Sequence, residues 1–447
     1  MTPNEASDGT RALLLALYDT AVAAAHPDVC VPAHLPPVPR RGRLVVAGAG
    51  KAAAAMALAA ERHYRAQGAL DRVTGFTTAP HGTAEALPGG PPRHIRVVPA
   101  RHPAPDAASL RAAEETLALV HAAAADDLVL VLLSGGASSL WAAPAAGLDL
   151  EGKTALTRGL LKSGADIHEM NLVRRHVSRI KGGRLRKATP APMLTLAISD
   201  VPGDDPATIG SGPTVPDPTT LADARAVLAR HLPRMRALGI DVPDASVAAI
   251  LADPANETPK PDDPAFASAE YRIVATPARS LAAAAEMAAR AGYAVVDLGD
   301  AVTGEARVVA AAHARLALEA HGARRRTAIL SGGELSVTVR NARGRGGRCQ
   351  EYALALAIAL GGTPGIAALA ADTDGIDGGE GRATDPAGVV VDPATLVRAE
   401  AAQRHADAKK MLDNNDATAF FESAGGLIVR GPTHTNVNDF RAILIDP

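Results

Sequence analysis

Aromatic side chains are nearly missing from this chain: Trp, Tyr and Phe together make up 2% of its 447 residues. Proteins that grip bases or sugar rings stack them on aromatic faces, so nucleic-acid platforms and carbohydrate-stacking surfaces are both disfavoured. Cysteine is almost as scarce. Cys30 and Cys349 are too few for a disulfide framework or a thiolate metal site, which points to a reducing compartment. No sign of charge dominates, with 46 Lys and Arg against 48 Asp and Glu for a net charge of -2. A general nucleic-acid footprint is therefore excluded, and any anion site has to be a local pocket. Long apolar runs are missing as well: the stretch 12–25 is interrupted by Asp19 and falls short of the roughly 18 apolar residues of a membrane span. The reading is a cytoplasmic, soluble protein with no nucleic-acid and no membrane partner.

What is present is α/β patterning. Runs rich in Val, Ile and Leu at 43–48, 127–133, 193–199, 272–276, 327–330 and 366–371 alternate with alanine-rich helical stretches, which predicts mostly parallel sheets. Such sheets are covered on both faces and take ligands at the carboxyl ends of their strands. Residues 251–270 carry Pro254, Pro259, Pro261 and Pro264 and read as a linker. The expected division is therefore a first domain over 1–250, a linker over 251–270 and a second domain over 271–447.

Three glycine-rich turns follow apolar strands: Gly48-Ala49-Gly50-Lys51, Ser134-Gly135-Gly136-Ala137-Ser138-Ser139 and Ser331-Gly332-Gly333-Glu334. Glycine lets the backbone approach an anion, and the free N–H groups of a helix start point at it. The first turn nearly satisfies a dinucleotide fingerprint, but the second strand ends in Thr77-Thr78-Ala79-Pro80 where a ribose-binding acid is wanted. Lys51 at a helix start is a poor dipole partner and implies a nearby anion. Residues 169–181 read as one helix whose Asn171, Arg174, Ser178 and Lys181 share a narrow arc without an acid. That stripe suits a polyanion, and Gly182-Gly183 supplies the stop. His176 falls on the apolar side and reads as a core histidine.

Asp200 stands at the end of strand 193–199, where a carboxylate can hold Mg²⁺ or accept a proton from a hydroxyl nucleophile. Asp204 joins it as a candidate metal ligand, although turn chemistry explains Asp204 and Asp205 equally well. Arg348 in Gly346-Gly347-Arg348 offers a fork for a carboxylate or phosphate. Asp372-Thr373-Asp374-Gly375-Ile376-Asp377 resembles the opening of a calcium loop but lacks its later acidic ligand.

The segments Lys162-Ser163-Gly164-Ala165-Asp166-Ile167-His168-Glu169-Met170-Asn171, Arg174-Arg175-His176-Val177-Ser178, Ile180-Lys181-Gly182-Gly183-Arg184-Leu185, Ser199-Asp200-Val201-Pro202-Gly203-Asp204 and Gly431-Pro432-Thr433-His434-Thr435-Asn436-Val437 closely resemble the class II glycerate kinases. The resemblance spans almost the whole chain. It implies an N-terminal Rossmann-like domain, a C-terminal α/β domain of the MOFRL type and an active site in the cleft between them. The implied activity is ATP-dependent phosphorylation of D-glycerate at the 2-hydroxyl, giving 2-phosphoglycerate, with ATP and Mg²⁺ as cofactors; a homodimer is compatible with it. By resemblance, Lys51 acts in phosphoryl transfer and Arg348 is a cleft arginine. The phosphates fall to Gly48, Gly50, Ser134, Gly135, Gly136, Ser138, Ser139, Asn171, Arg174 and Lys181, Arg348 would fix the substrate carboxylate, and the role of Asp200 follows from its position. The chain departs from the family at Cys349, where Asn usually follows the arginine, and at Arg101 before His102-Pro103-Ala104-Pro105-Asp106, where glycine is frequent. The alternatives are an NAD(P)H-dependent hydroxypyruvate reductase and a non-enzymatic phosphosugar-binding protein.

Overall fold

The computed structural model describes residues 3–402 and 407–447, with side chains from residue 8 onward. It contains two compact units, one of Cys30–Val274 and one of Met1–Val29 together with Ala275–Pro447. In the first unit β1 (Leu44–Ala49), β2 (Val73–Pro80), β3 (Arg96–Ala100), β4 (Leu128–Leu133), β5 (Met193–Ile198) and β6 (Ala269–Ala275) form a sheet in the order β3-β2-β1-β4-β5-β6. The pairs β3-β2, β2-β1, β1-β4 and β4-β5 are all parallel. β1 and β5 are buried at every position, as strands covered by helices on both faces should be. The helix Ala53–Ala66 is buried from Ala53 to Glu61, its alanines letting it lie close.

The second unit holds β7 (Ala294–Asp297), β8 (Gly304–Glu305), β9 (Thr327–Ser331), β10 (Leu335–Ser336), β11 (Ile366–Asp372), β12 (Gly388–Val391), β13 (Leu427–Ile428) and β14 (Asp439–Ile445). Six of these make a sheet ordered β13-β12-β11-β14-β9-β7, and β8 pairs with β10. Parallel pairing, expected for most strands, holds in this unit for β7-β9 and for the short β8-β10 pair; β14 inserts antiparallel between β11 and β9, and β12 and β13 add antiparallel beyond β11. Burial hides the difference in sequence, because β14 is buried at all positions and reads as a continuous apolar run in either direction.

The division of the chain differs from the one that proline content suggests. Residues 251–270 are bound into the first unit. Their prolines open short turns at Pro254–Asn256 and Pro264–Ser268, the Asn256 and Pro259 carbonyls accept from Arg184 and from the Asp217 amide, and Glu257 accepts from the Leu221 amide at 3.0 Å. β6, which follows directly, completes the first sheet beside β5. The start of the chain belongs to the other unit, for a plain packing reason. In the helix Pro3–Ala24, Leu14, Leu17, Tyr18 and Ala21 recur at helical spacing and are fully buried in a core shared with Leu281, Ala284 and Ala288 of the helix Pro277–Arg290. The Tyr18 hydroxyl donates to the Asp372 carbonyl at 2.8 Å.

If this first helix is part of the second unit's core, Leu17→Ala leaves a cavity there and costs about 2–5 kcal/mol. Denaturant unfolding followed by circular dichroism checks this; an unchanged transition would mean that the helix is an appendage.

Candidate active site

The sheet order of the first unit reverses between β1 and β4, and at such a reversal the connections leave in opposite directions and open a crevice at the carboxyl ends of the strands. The two turns bordering that point are Gly50-Lys51 and Ser134 to Ser139. They are fastened to each other: the Lys51 amide donates to the Gly135 carbonyl at 2.8 Å and the Ala52 amide to the Ser134 hydroxyl at 3.0 Å. Gly50, at φ +142°, passes so close that a Cβ there would lie 2.1 Å from Ser134 Oγ. No other residue fits that approach. The first turn is thus no open phosphate cradle, since its leading amides are engaged within the protein. Gly48 lies inside β1, packed between Thr77 and Leu132, away from any ligand.

The second turn divides its groups differently. Ser134 is buried and holds Ala52, and Ser139 Oγ turns back to the Gly136 carbonyl at 2.9 Å. Lys181 Nζ donates to Ser138 Oγ at 2.8 Å, Ser138 Oγ contacts Ser211 Oγ at 2.8 Å, and Ser211 Oγ donates to Asn171 Oδ1 at 3.1 Å. Each hydroxyl has one proton, so the Ser138 proton goes to Ser211 and the relay runs one way from Lys181 to Asn171. Ser138, Asn171 and Lys181 are thus tied into one hydrogen-bonded chain behind the turn. The amides of Gly135 and Gly136 have no acceptor among the described residues, and two adjacent unengaged amides at a strand-to-helix turn are a ready anion site. Gly136, at φ +83°, also lacks room for a Cβ, which would stand 2.8 Å from the His102 ring and 3.5 Å from Lys51 Cγ. Lys51 and His102 thus converge on this glycine. His102 escaped the sequence reading, although its place just after β3, at the same edge of the sheet, was a usable signal.

The helix expected over 169–181 runs Ile167–His176. Beyond it Ser178 forms a bridge with Pro144, and the amides of Ala145 and Arg179 exchange bonds with Val177 and Ala143, so strand-like pairing ends the helix early. The four stripe residues therefore do not share a helix face. Lys181 nevertheless returns to the neighbourhood of Arg174, and Lys153 joins them from the helix Leu150–Ser163. His176 is buried, with its ring nitrogens 2.9 Å from the Leu172 carbonyl and 3.2 Å from Glu257 Oε1, as a core histidine should be.

Asp200 lies two residues beyond β5, half-buried, and Asp204 follows in the turn Pro202–Asp204. Among the described residues, no group of three His, Cys, Asp or Glu side chains is assembled to hold a metal. Mg²⁺ does not need one, because it keeps waters and phosphate oxygens and takes one or two carboxylates. The Asp204 Oδ1 atom is buried without a hydrogen-bond partner, which suits a hard cation.

In the second unit Arg348 opens the helix Arg348–Leu360. Its Nε donates to Asp439 at 2.7 Å, Nη2 to Asp372 at 2.8 Å, and Nη1 stands 3.2 Å from Glu334. Burial opposes its charge, but Asp439 and Asp372 outweigh burial and hold the guanidinium above its ordinary range. The turn Ser331 to Glu334 surrounds this group: the Gly332 carbonyl accepts from Arg441, which also donates to Asp439 at 3.0 Å. The third glycine turn therefore sits among carboxylates and is no anion cradle. The run from Asp372 to Asp377 is an Asx turn, with the Asp374 amide on Asp372 Oδ1 at 3.0 Å and the Ile376 amide on Asp374 Oδ1 at 2.9 Å. Asp377 caps the Arg348 helix from a distance, accepting from the amides of Cys349 at 3.0 Å and Gln350 at 2.8 Å. Burial pushes the Asp377 carboxyl up to about 6, those amides pull against it, and Asp439 reinforces it.

Residues 13–238 match the family described as Domain of unknown function (DUF4147), and residues 327–439 match the MOFRL family. The D-glycerate 2-kinase of Thermotoga maritima is 35% identical over 97% of both chains. A crystal structure of glycerate kinase from the same organism superposes with a TM-score of 0.83 at 33% identity, covering 98% of this chain and all of that one. The chain belongs to the class II glycerate kinase family. It is a kinase of that family, although an Agrobacterium vitis protein 47% identical over 100% of this chain and 96% of its own length bears the provisional name hydroxypyruvate reductase. In this class II glycerate kinase β2 ends in Thr77-Thr78-Ala79-Pro80, with no carboxylate where a nicotinamide dinucleotide's ribose would look for one.

Read within this glycerate kinase, Arg348 is first a structural cation that neutralises buried Asp372 and Asp439. Arg348→Ala removes the cation from Asp372 and leaves Asp439 with Arg441 alone, lowering unfolding stability by about 3 kcal/mol. A variant of unchanged stability that had lost only glycerate saturation would restore the substrate-clamp role. The Asp377 carboxyl, raised when folded, lets the native protein hold more protons than the unfolded chain between about pH 4 and 6. Its contribution is full below about pH 4 and is lost as pH rises through 6. The unfolding free energy of Asp377→Asn relative to the parent should thus rise by about 2–3 kcal/mol across that window, measured by urea unfolding at each pH.

Proposed function

We propose that this protein transfers the γ-phosphoryl group of ATP to the 2-hydroxyl of D-glycerate, giving 2-phosphoglycerate and ADP. The observation that carries this reading is the convergence of Lys51 on Gly136, beside the unengaged amides of Gly135 and Gly136, at the point where the sheet order reverses. Phosphoryl transfer asks a protein mainly for positioning and for neutralisation of charge on the phosphoryl oxygens. A flexible ammonium beside two fixed N–H donors supplies both. The choice of the 2-hydroxyl is supported by the name of the Thermotoga maritima relative.

In the proposed reaction the 2-hydroxyl oxygen of glycerate bonds to the γ-phosphorus as the bond to the β–γ bridging oxygen breaks, and that electron pair leaves with ADP. Lys51 follows the transferring group, while the Gly135 and Gly136 amides hold its oxygens. The hydroxyl proton passes to Asp200 at the end of β5. Asp200 and Asp204 would hold Mg²⁺, which when bound neutralises charge on the triphosphate. The Lys181 to Asn171 relay keeps the Ser138 end of the turn in one conformation, so the two amides are aimed before the nucleotide arrives.

Purified protein given D-glycerate and MgATP should form ADP and 2-phosphoglycerate in equal amounts, and should not oxidise NAD(P)H in the presence of hydroxypyruvate. The reverse pattern would make the provisional reductase name correct. Lys51→Ala should lower turnover at least about tenfold, roughly 1.4 kcal/mol of barrier, with an unaltered melting temperature. Full turnover in a folded Lys51→Ala enzyme removes Lys51 from the mechanism.

A further inference from the structure

Lys153 is the most anomalous charge in the first unit. It stands three residues into the helix Leu150–Ser163, whose start is capped by Asp149 bonding the Gly152 amide at 2.7 Å, and it is only 6% exposed. A lysine buried to this extent normally has a carboxylate partner. Lys153 has none among the described residues, and neither has Arg174, its charged neighbour. The charge that acts on the Lys153 ammonium is that of Arg174, and Glu169, on the Arg174 helix, is engaged by Arg230 and His231. Lys181 is the third cation of the group and binds only neutral oxygens, those of Ser138 and Gly210.

Three cations close enough to raise one another's energy, sheltered from water and unbalanced by any acid, are unfavourable in the protein alone. Burial and then Arg174 bring the Lys153 ammonium down to about 7, and burial followed by Lys153 and Arg174 holds Lys181 well below its ordinary range. The arrangement becomes favourable once an anion enters. Glycerate, with one negative charge, would leave most of the surplus uncompensated. A triphosphate, with three or four, matches it. Lys181 connects the group directly to the Ser138 turn whose glycine amides are unengaged, so a chain of phosphates can run from those amides toward Lys153.

We propose that Lys153 and Arg174 form a binding site for the triphosphate chain of the nucleotide, apart from the group that transfers the phosphoryl. The identity of the ligand as a nucleotide rests on the kinase reading above; the polyphosphate site itself does not. This predicts an inverse relation between stability and function. Lys153→Met removes a buried, uncompensated charge, so the variant should melt at or above the temperature of the parent protein. It should also raise the KM for ATP at least tenfold, with kcat within about threefold and the glycerate KM unchanged, and Lys153→Arg should recover much of the loss. Inorganic tripolyphosphate, used alone as the probe, should raise the melting temperature of the parent protein and leave that of Lys153→Met in place. Unchanged ATP saturation together with an undiminished tripolyphosphate shift overturns the site, as does a loss confined to glycerate saturation. If Lys153→Met fails to fold, Lys153 is structural, and Arg174→Gln then decides by the same two readouts whether any polyphosphate site exists there. A parent protein that forms no phosphoglycerate but is stabilised by tripolyphosphate through Lys153 would keep this site and remove the kinase reading.

Discussion

Two cross-turn hydrogen bonds, from the Lys51 amide to the Gly135 carbonyl and from the Ala52 amide to the Ser134 hydroxyl, govern what the first unit can do. They join the loops that leave neighbouring parallel strands at the reversal of sheet order, and they require Gly50, because nothing larger can pass Ser134. Their consequence is a division of labour. The first turn gives up its leading amides to fix the geometry and contributes only the Lys51 side chain, while the second turn keeps the amides of Gly135 and Gly136 available. Of the glycine turns that read alike as anion cradles, the first thus becomes a brace for the second.

The overall charge of -2 conceals two opposite local excesses. In the first unit Lys153, Arg174 and Lys181 gather without an acid among the described residues. In the second, Arg348 is surrounded by Glu334, Asp372 and Asp439, with Asp377 buried nearby and raised in pKa. Each cluster is held by secondary structure. The acids stand at the ends of β11 and β14 and in the turn after β9, and the cations on two helices and the coil after the second.

The central strands of both sheets were largely legible because they are buried apolar runs; β1, β4 and β5 of the first sheet and β9 and β11 of the second lie within one or two residues of their expected positions. Direction was not legible, since β14 and its neighbours present buried runs that carry no record of parallel or antiparallel pairing. The proline-rich stretch 251–270 misled because proline marks turns whether or not a domain ends there. At the site, residue types were visible and their partners were not. Asn171 and Lys181 stood out on a stripe without an acid and Arg348 beside glycines, but only the fold shows that Ser211, Ser138 and two aspartates already engage them. Lys153 gave no signal at all, since one lysine near the start of an amphipathic helix reads as a solvated residue.

Partner chemistry, more than residue type, separates structural cations from ligand-binding ones here. Arg348 and Lys153 both stand in the first turn of a helix, the one partly and the other almost wholly withdrawn from water. Around Arg348 the acids satisfy the fork, so an incoming anion would have to displace Asp372 or Asp439 and break a buried ion pair, a cost of several kcal/mol. Around Lys153 an anion has no carboxylate partner among the described residues to displace, and it relieves the repulsion from Arg174. The same desolvation that makes the lone ammonium unfavourable in the free protein strengthens its attraction to a phosphate once one arrives. A fold that leaves such a charge uncompensated sacrifices stability at that position, and the sacrifice is explained only if the missing counter-charge belongs to a ligand.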